Sequence, residues 1–179
     1  MIAEIKNRRS VRKYRNAAVD DGLILKMIEA AQMAPSGNNT QPWDFVIVRS
    51  EETKEKIVVA DHDQMWMLTA PVFIVCVADV RYRTNNHDQL VLDEESAFPE
   101  LKMVIRDTSI AITHLLLEAE ALGLSTCWTG WYDQKDMKPI LGIPGDKYVC
   151  GVVTVGYGDE QPQARPRREL TEMIRYEKW

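Results

Sequence analysis

From Asp20 to Ala34 apolar residues recur at helical spacing, with Leu23, Met27, Ala30, Ala31 and Ala34 on one face and two acids at the start. That pattern predicts an amphipathic helix ending at Pro35. Pro35-Ser36-Gly37-Asn38-Asn39-Thr40-Gln41-Pro42 then concentrates turn-forming residues in one loop. Trp43–Val48 reads as a short strand and Glu51–Ala60 as a polar helix. Val72–Ala78 is a β-branched run suited to a strand buried on both faces. Asp79–Phe98 is polar and irregular, which suits a mobile cover or a pair of short helices.

Leu101–Leu122 carries the longest helical pattern, with Gly123 placed as its C-terminal cap. It is apolar on more than one side around Ile110–Leu117, so it must be buried broadly, either centrally or between subunits. Ser125–Trp131 reads as a strand, Gln134–Leu141 as a short helix, Gly142–Asp146 as a turn, and Tyr148–Tyr157 as a last strand. Beyond Gly158 the chain has little core-forming character before Leu170, and reads as an arm packing on another surface. Helices and strands interleave without repeats, which predicts one central sheet in an α/β or α+β domain.

With 179 residues and 45% apolar composition, the chain is of single-domain size and can bury a substantial core. It carries 22 basic and 27 acidic residues, a net charge of −5, which argues against general affinity for nucleic acid or anionic membranes. The basic residues are unevenly placed. Arg8, Arg9, Arg12, Lys13 and Arg15 cluster near one end, and Arg165, Arg167 and Arg168 near the other. Without those eight, 14 basic residues face 27 acidic ones. Two cationic clusters on an acidic protein point to a specific anionic ligand. Cys76, Cys127 and Cys150 are odd in number and form no paired motif, so they read as reduced core thiols of a cytoplasmic protein. Met1–Lys6 has no signal-like apolar stretch, and the longest apolar run is too short to span a bilayer.

In an extended segment Arg8, Ser10 and Arg12 project to the same side, an inventory of two guanidinium forks and a hydroxyl suited to phosphate. A solvated basic turn is the plain alternative. Arg165-Pro166-Arg167 repeats the device on a stiffened backbone. In the Pro35–Gln41 loop, Gly37 permits close approach, while Ser36, Asn38, Asn39 and Gln41 offer hydrogen bonds to a polar planar ligand. Cys127-Trp128-Thr129-Gly130-Trp131-Tyr132 leaves a strand through a glycine between aromatics, where a backbone N–H could meet a ligand; core aromatic packing is the alternative. No dinucleotide fingerprint, phosphate loop, nucleophile elbow or metal motif is present, and His62, His87 and His114 lack ligand spacing. Parts for binding an anion and a planar ring, without an obvious acid, base or nucleophile, favour a cofactor that carries its own chemistry.

Taken in order, four segments resemble the nitroreductase family of flavin-dependent oxidoreductases: Arg8-Arg9-Ser10-Val11-Arg12, Ala34–Trp43, Leu122–Trp131, and Gly156-Tyr157-Gly158 followed by Arg165-Pro166-Arg167. The resemblance implies an α+β fold around a mainly antiparallel sheet, one domain over residues 1–179, and an intertwined homodimer. The arm from about residue 158 to 179 would pack on the partner. FMN would bind between subunits, with NAD(P)H as electron donor and a small-molecule oxidant as acceptor in ping-pong hydride transfer. Arg8, Ser10, Arg167 and Arg165 would hold the FMN phosphate, Arg9 would line the site through its backbone, and Arg12 would sit near the pyrimidine edge. Pro35, Ser36, Gly37 and Asn39 would approach from the other subunit, and the Gly130 N–H would face flavin N5. No metal, nucleic acid or membrane is implied. Reductive dehalogenation, enone reduction and non-catalytic FMN binding are the competing readings. Asp61-His62-Asp63-Gln64-Met65 stands where some members place an asparagine and a lysine, so flavin potential and substrate polarity would differ. The Arg81–Phe98 region would supply the substrate cover.

Overall fold

The computed structural model describes residues 1–85 and 90–179. Its centre is a four-stranded sheet of β1 (Trp43–Val48), β2 (Val72–Asp79), β3 (Ser125–Thr129) and β4 (Lys147–Gly156), in the order β1-β2-β4-β3. All three pairings are antiparallel, which settles the class as α+β. The helices are α1 (Ala3–Asn7), α2 (Asp21–Gln32), α3 (Glu51–Ala60), α4 (Pro99–Ala121), α5 (Gln134–Leu141) and α6 (Leu170–Met173).

β2 is buried along its whole length because each of its faces is covered. Ile74 and Cys76 pack with Ile24 and Met27 of α2 and with Ala111, Ile112 and Leu115 of α4. The alternate residues Phe73, Val75 and Val77 pack with Ile57 of α3 and Met137 of α5. The continuous β-branched run is thus the strand's answer to two apolar neighbours rather than one. A bulge between Cys76 and Val77 lets Val149 and Val152 of β4 face the same side although they are three positions apart.

The ends of elements differ from the sequence pattern where capping or tertiary bonds intervene. Asp20 lies outside α2 and accepts from the Gly22 N–H, closing its first turn. α4 begins two residues earlier than expected, because Pro99 fits a first helical turn, where no intrahelical N–H partner is needed. At its other end Gly123 takes φ 74°, and Leu124 N–H bonds Ala119 O, as its place after the helix predicts. β3 stops at Thr129 rather than Trp131, since the Trp131 N–H is drawn off to the Asp61 carboxylate. α1, too short for a periodic signal, was not expected. In the Asp79–Phe98 stretch the described residues form one 3-10 turn, Val80–Tyr82, and seat Leu92 against Val80, Leu101 and Val104. His87 of that stretch lies outside the described residues.

Candidate cofactor site

Both chain ends meet beside β3. Ser10 forms a parallel bridge with Thr126, and Val11 N–H donates to Thr126 O at 3.0 Å. The segment leaving β4 then runs back along the same stretch: Arg15 N–H donates to Tyr157 O and Asp159 N–H to Lys13 O, each at 2.8 Å. Tyr14 anchors the join, its hydroxyl 2.7 Å from both Val11 O and Thr154 Oγ1. Burial pushes that phenol well above its ordinary pKa, so it serves as a neutral structural group.

This pairing carries the two basic clusters into one cavity of about 460 Å³, lined by Arg8, Arg9, Ser10, Arg12, Arg165 and Arg167 together with Glu160, Pro162 and Gln163. The Arg9 guanidinium turns back onto the carbonyls of Lys6, Asn7 and Arg8 at 2.8–2.9 Å. Its charge is thereby committed to the last turn of α1, leaving the backbone and its neighbours to face the cavity. Arg12 lies over the Trp66 ring, 5.6 Å from its centroid. Arg165 and Arg167 are exposed and enter no ion pair among the described residues. Beneath the cavity, burial raises the Cys127 thiol pKa against the opposing pull of Arg12, Ser10 and Arg8.

Gly130 follows β3 on the edge away from β4. Because the Thr126 carbonyl already points outward to Val11, the two-residue alternation sets Gly130 on that same open edge. Among the described residues a Cβ there would meet nothing nearer than Cys150 O at 3.9 Å. The glycine is not demanded by packing inside the chain. Beside it the Trp131 indole, 64% exposed, stacks on the His62 ring at 4.3 Å.

The Pro35–Gln41 loop does not join this cavity within one chain. Ser36 Oγ accepts from Gln41 N–H at 2.9 Å, and Gly37 N–H donates to Asp107 at 3.2 Å. Arg83 clamps the outside, donating to Asp107 at 2.6 Å and to Gly37 O at 3.2 Å. Asn38, Asn39 and Gln41 all take positive φ, a local cost concentrated in four residues. Two buried polar atoms here, Thr40 Oγ1 and Arg83 Nε, have no hydrogen-bond partner among the described residues.

Residues 5–157 match a family model, "Nitroreductase family", a span that holds Arg8–Arg12, the Pro35–Gln41 loop and Gly130 but stops short of Arg165 and Arg167. The chain belongs to the nitroreductase family. Among its relatives, a protein of Methanothermobacter thermautotrophicus, provisionally named NADH dehydrogenase/NAD(P)H nitroreductase, is 32% identical over 183 residues, covering 100% of this chain and 87% of the relative. The FMN reductase [NAD(P)H] of Bacillus subtilis is 27% identical, covering 93% of this chain and 69% of the relative. Of solved structures, an FMN-dependent nitroreductase from Clostridium difficile R20291 superposes with a TM-score of 0.81 at 26% identity, with 100% of both chains covered.

Several nitroreductase-site neighbours escaped the sequence reading. Glu160 enters the arginine cavity and accepts the Arg12 N–H at 2.5 Å, a contact across 148 positions with no local signal. Asp61, His62 and Gln64 contact Thr129 and Trp131, the residues on either side of Gly130; their segment stood out only as a departure from the family pattern. His114 is partly buried on α4, with Nδ1 3.3 Å from Ala30 O, a structural contact. Glu94, between Asp93 and Glu95, accepts the Gln134 N–H at the start of α5, a structural role. A wider cleft of about 890 Å³ between α3 and α5 holds none of the expected cofactor residues. Among the described residues no group of three side chains is arranged to hold a metal, and no helix is long and apolar enough to cross a membrane.

Proposed function

We propose that this chain is an FMN-dependent oxidoreductase, passing hydride from NAD(P)H to an electron-poor small molecule such as a nitroaromatic or quinone in ping-pong fashion. The observation that carries the reading is the single cavity formed by Arg8, Ser10, Arg12, Arg165 and Arg167 from opposite ends of the chain. Guanidinium forks and a hydroxyl converging on one space match a phosphate monoester, with each charge-assisted bond contributing roughly 1.5–3 kcal/mol. The names of the Bacillus subtilis FMN reductase and the Clostridium difficile FMN-dependent nitroreductase support the same cofactor.

In this reading Arg8, Ser10, Arg165 and Arg167 hold the phosphate, and Arg12 supplies a fixed cation at the pyrimidine edge. The Gly130 N–H, on an edge where even a Cβ would find room, would be the donor toward the ring's N5. Bound there, FMN would supply the hydride-carrying chemistry between donor and oxidant. The protein's share is to bind, orient and stabilise charge: a cation near N1 and O2 favours the reduced, more anionic ring. Pro35, Ser36, Gly37 and Asn39 reach the ring from a second copy, which makes the working unit a homodimer.

Anaerobic visible spectra of FMN-loaded, desalted protein, taken before and after NADH and then NADPH, test the proposal. Flavin retained and bleached is the expected result. Retention without bleaching by either donor would make the protein a flavin holder, and loss of all FMN on desalting would remove the cofactor assignment.

A further inference from the structure

Asp61 caps the C-terminus of α3, and its side chain crosses to the end of β3. The residue is fully buried, and its carboxylate accepts from Thr129 Oγ1 at 2.7 Å and from Trp131 N–H at 3.1 Å. These donors are the residues immediately before and after Gly130. The Thr129 hydroxyl also accepts from Gln64 Nε2 at 2.8 Å, and Gln64 Oε1 from Trp66 Nε1 at 3.1 Å. With the Gln64 amide donating to its oxygen, the hydroxyl proton is left for Asp61 alone. The direction of the whole chain is therefore fixed.

The residues after Asp61 add a second hold on Trp131. The His62 ring lies parallel to the Trp131 indole, 6° apart, with Nδ1 2.5 Å from Trp131 O. His62 and Asp63 both take left-handed backbone angles, φ 57° and 53°, unfavourable for residues with a Cβ. A buried carboxylate is itself costly: burial raises its pKa, and no lysine or arginine pairs with it among the described residues. Strain and desolvation thus converge on fixing the peptides on either side of Gly130.

We propose that Asp61 is a positioning residue for the flavin reaction, its carboxylate straddling Gly130 so that the Gly130 N–H stays aimed outward from the edge of β3. This rests on the reading that FMN binds there with N5 facing that N–H. Phosphate binding is independent of it, because Arg8, Ser10 and Arg167 belong to other segments. Asp61 then governs the rate of hydride acceptance and leaves cofactor affinity little changed.

The test compares the parent with Asp61→Ala, Asp61→Asn and Thr129→Val. In FMN-free protein, amide hydrogen exchange at Trp131, whose N–H the carboxylate holds, is expected to speed up at least tenfold in Asp61→Ala, with amides of β2 and β4 unchanged. In FMN-loaded protein, the anaerobic bleaching rate at saturating NADH or NADPH is expected to fall about tenfold, with the FMN Kd changed less than threefold. Asp61→Asn keeps an acceptor for the Trp131 N–H and should recover part of the rate. If Asp61→Ala does not fold, Thr129→Val decides, since it deletes one tether and leaves the carboxylate in place. A parental bleaching rate in the folded variants overturns the proposal, as does a rate loss that merely follows lost FMN affinity. A parent that binds no FMN overturns the functional reading and this inference together, an outcome distinct from a parent that bleaches normally and variants that match it.

Discussion

Glu160 puts a negative charge among the arginines proposed to hold a phosphate, and its carboxylate is anchored by the Arg12 N–H. Glutamine would keep an acceptor for that N–H while removing the repulsion. Glu160→Gln is therefore expected to tighten FMN binding about three- to tenfold at low ionic strength, less as salt screens the cavity. Arg167→Ala is expected to act in the opposite direction, weakening FMN at least tenfold by the loss of one charge-assisted contact. Its side chain is exposed, so unfolding midpoints should match the parent. Quenching of FMN fluorescence on binding measures both; equal affinity in parent and Arg167→Ala would remove that arginine from the phosphate site. The alternation of Arg8, Ser10 and Arg12 was legible in the sequence because an extended strand's period is local. Glu160 was not, because its place depends on the backbone pairing of Lys13 with Asp159 and Arg15 with Tyr157, which no local pattern encodes.

At the scale of elements, the junction of β2 and β4 rests on Asp79. Its side chain is wholly buried, accepting from Arg81 Nη2 at 2.6 Å and also from Lys147. Burial alone would raise its pKa, but the hydrogen bonds from Arg81 and Lys147 prevail and hold it at about 2. In the unfolded chain the same group titrates near its ordinary value of 3.8. Between about pH 4 and pH 2 the unfolded state therefore takes up a proton that the native state refuses, so this contribution to stability is present above that window and lost as pH falls through it. After allowance for screening it amounts to about 1–2 kcal/mol. Urea unfolding from pH 2 to 6 should show a shallower acid decline in Asp79→Asn than in the parent; identical slopes would rule Asp79 out as the titrating group. The same strand shows where sequence patterning succeeds. Val72–Ala78 announced double burial through composition alone, and α2, α3 and α5 followed from periodicity and caps. Strand order and the bulge at Cys76 are set by packing between distant segments, so they emerged only in the fold.

For the whole molecule, the cavity and the loop proposed to share one flavin lie apart within a single chain. Apolar surface shows how a second copy could join them. α1 and α4 pack together and leave Ile2, Ile5, Met103 and Ile110 exposed, while the arm exposes Leu170, Met173, Ile174, Tyr176 and Trp179. α6 buries no residue against its own chain, so a segment this apolar calls for a surface elsewhere. If that surface is a partner subunit, FMN binding and dimerisation are linked equilibria, and each must strengthen the other by the same factor. Deleting residues 169–179 keeps every arginine of the cavity but removes most of the arm's apolar contact. The truncated protein is expected to sediment as monomer at concentrations where the parent is a dimer, and to bind FMN at least tenfold more weakly, with added FMN driving it back toward dimer. A truncated monomer that binds FMN as tightly as the parent would mean that the arginine cavity suffices alone and that the Pro35–Gln41 loop serves only the connection between α2 and β1. Recovery of affinity at high protein concentration would instead tie the loop's strained asparagines, with Thr40 Oγ1 and the neighbouring Arg83 Nε, to a site completed by the second chain.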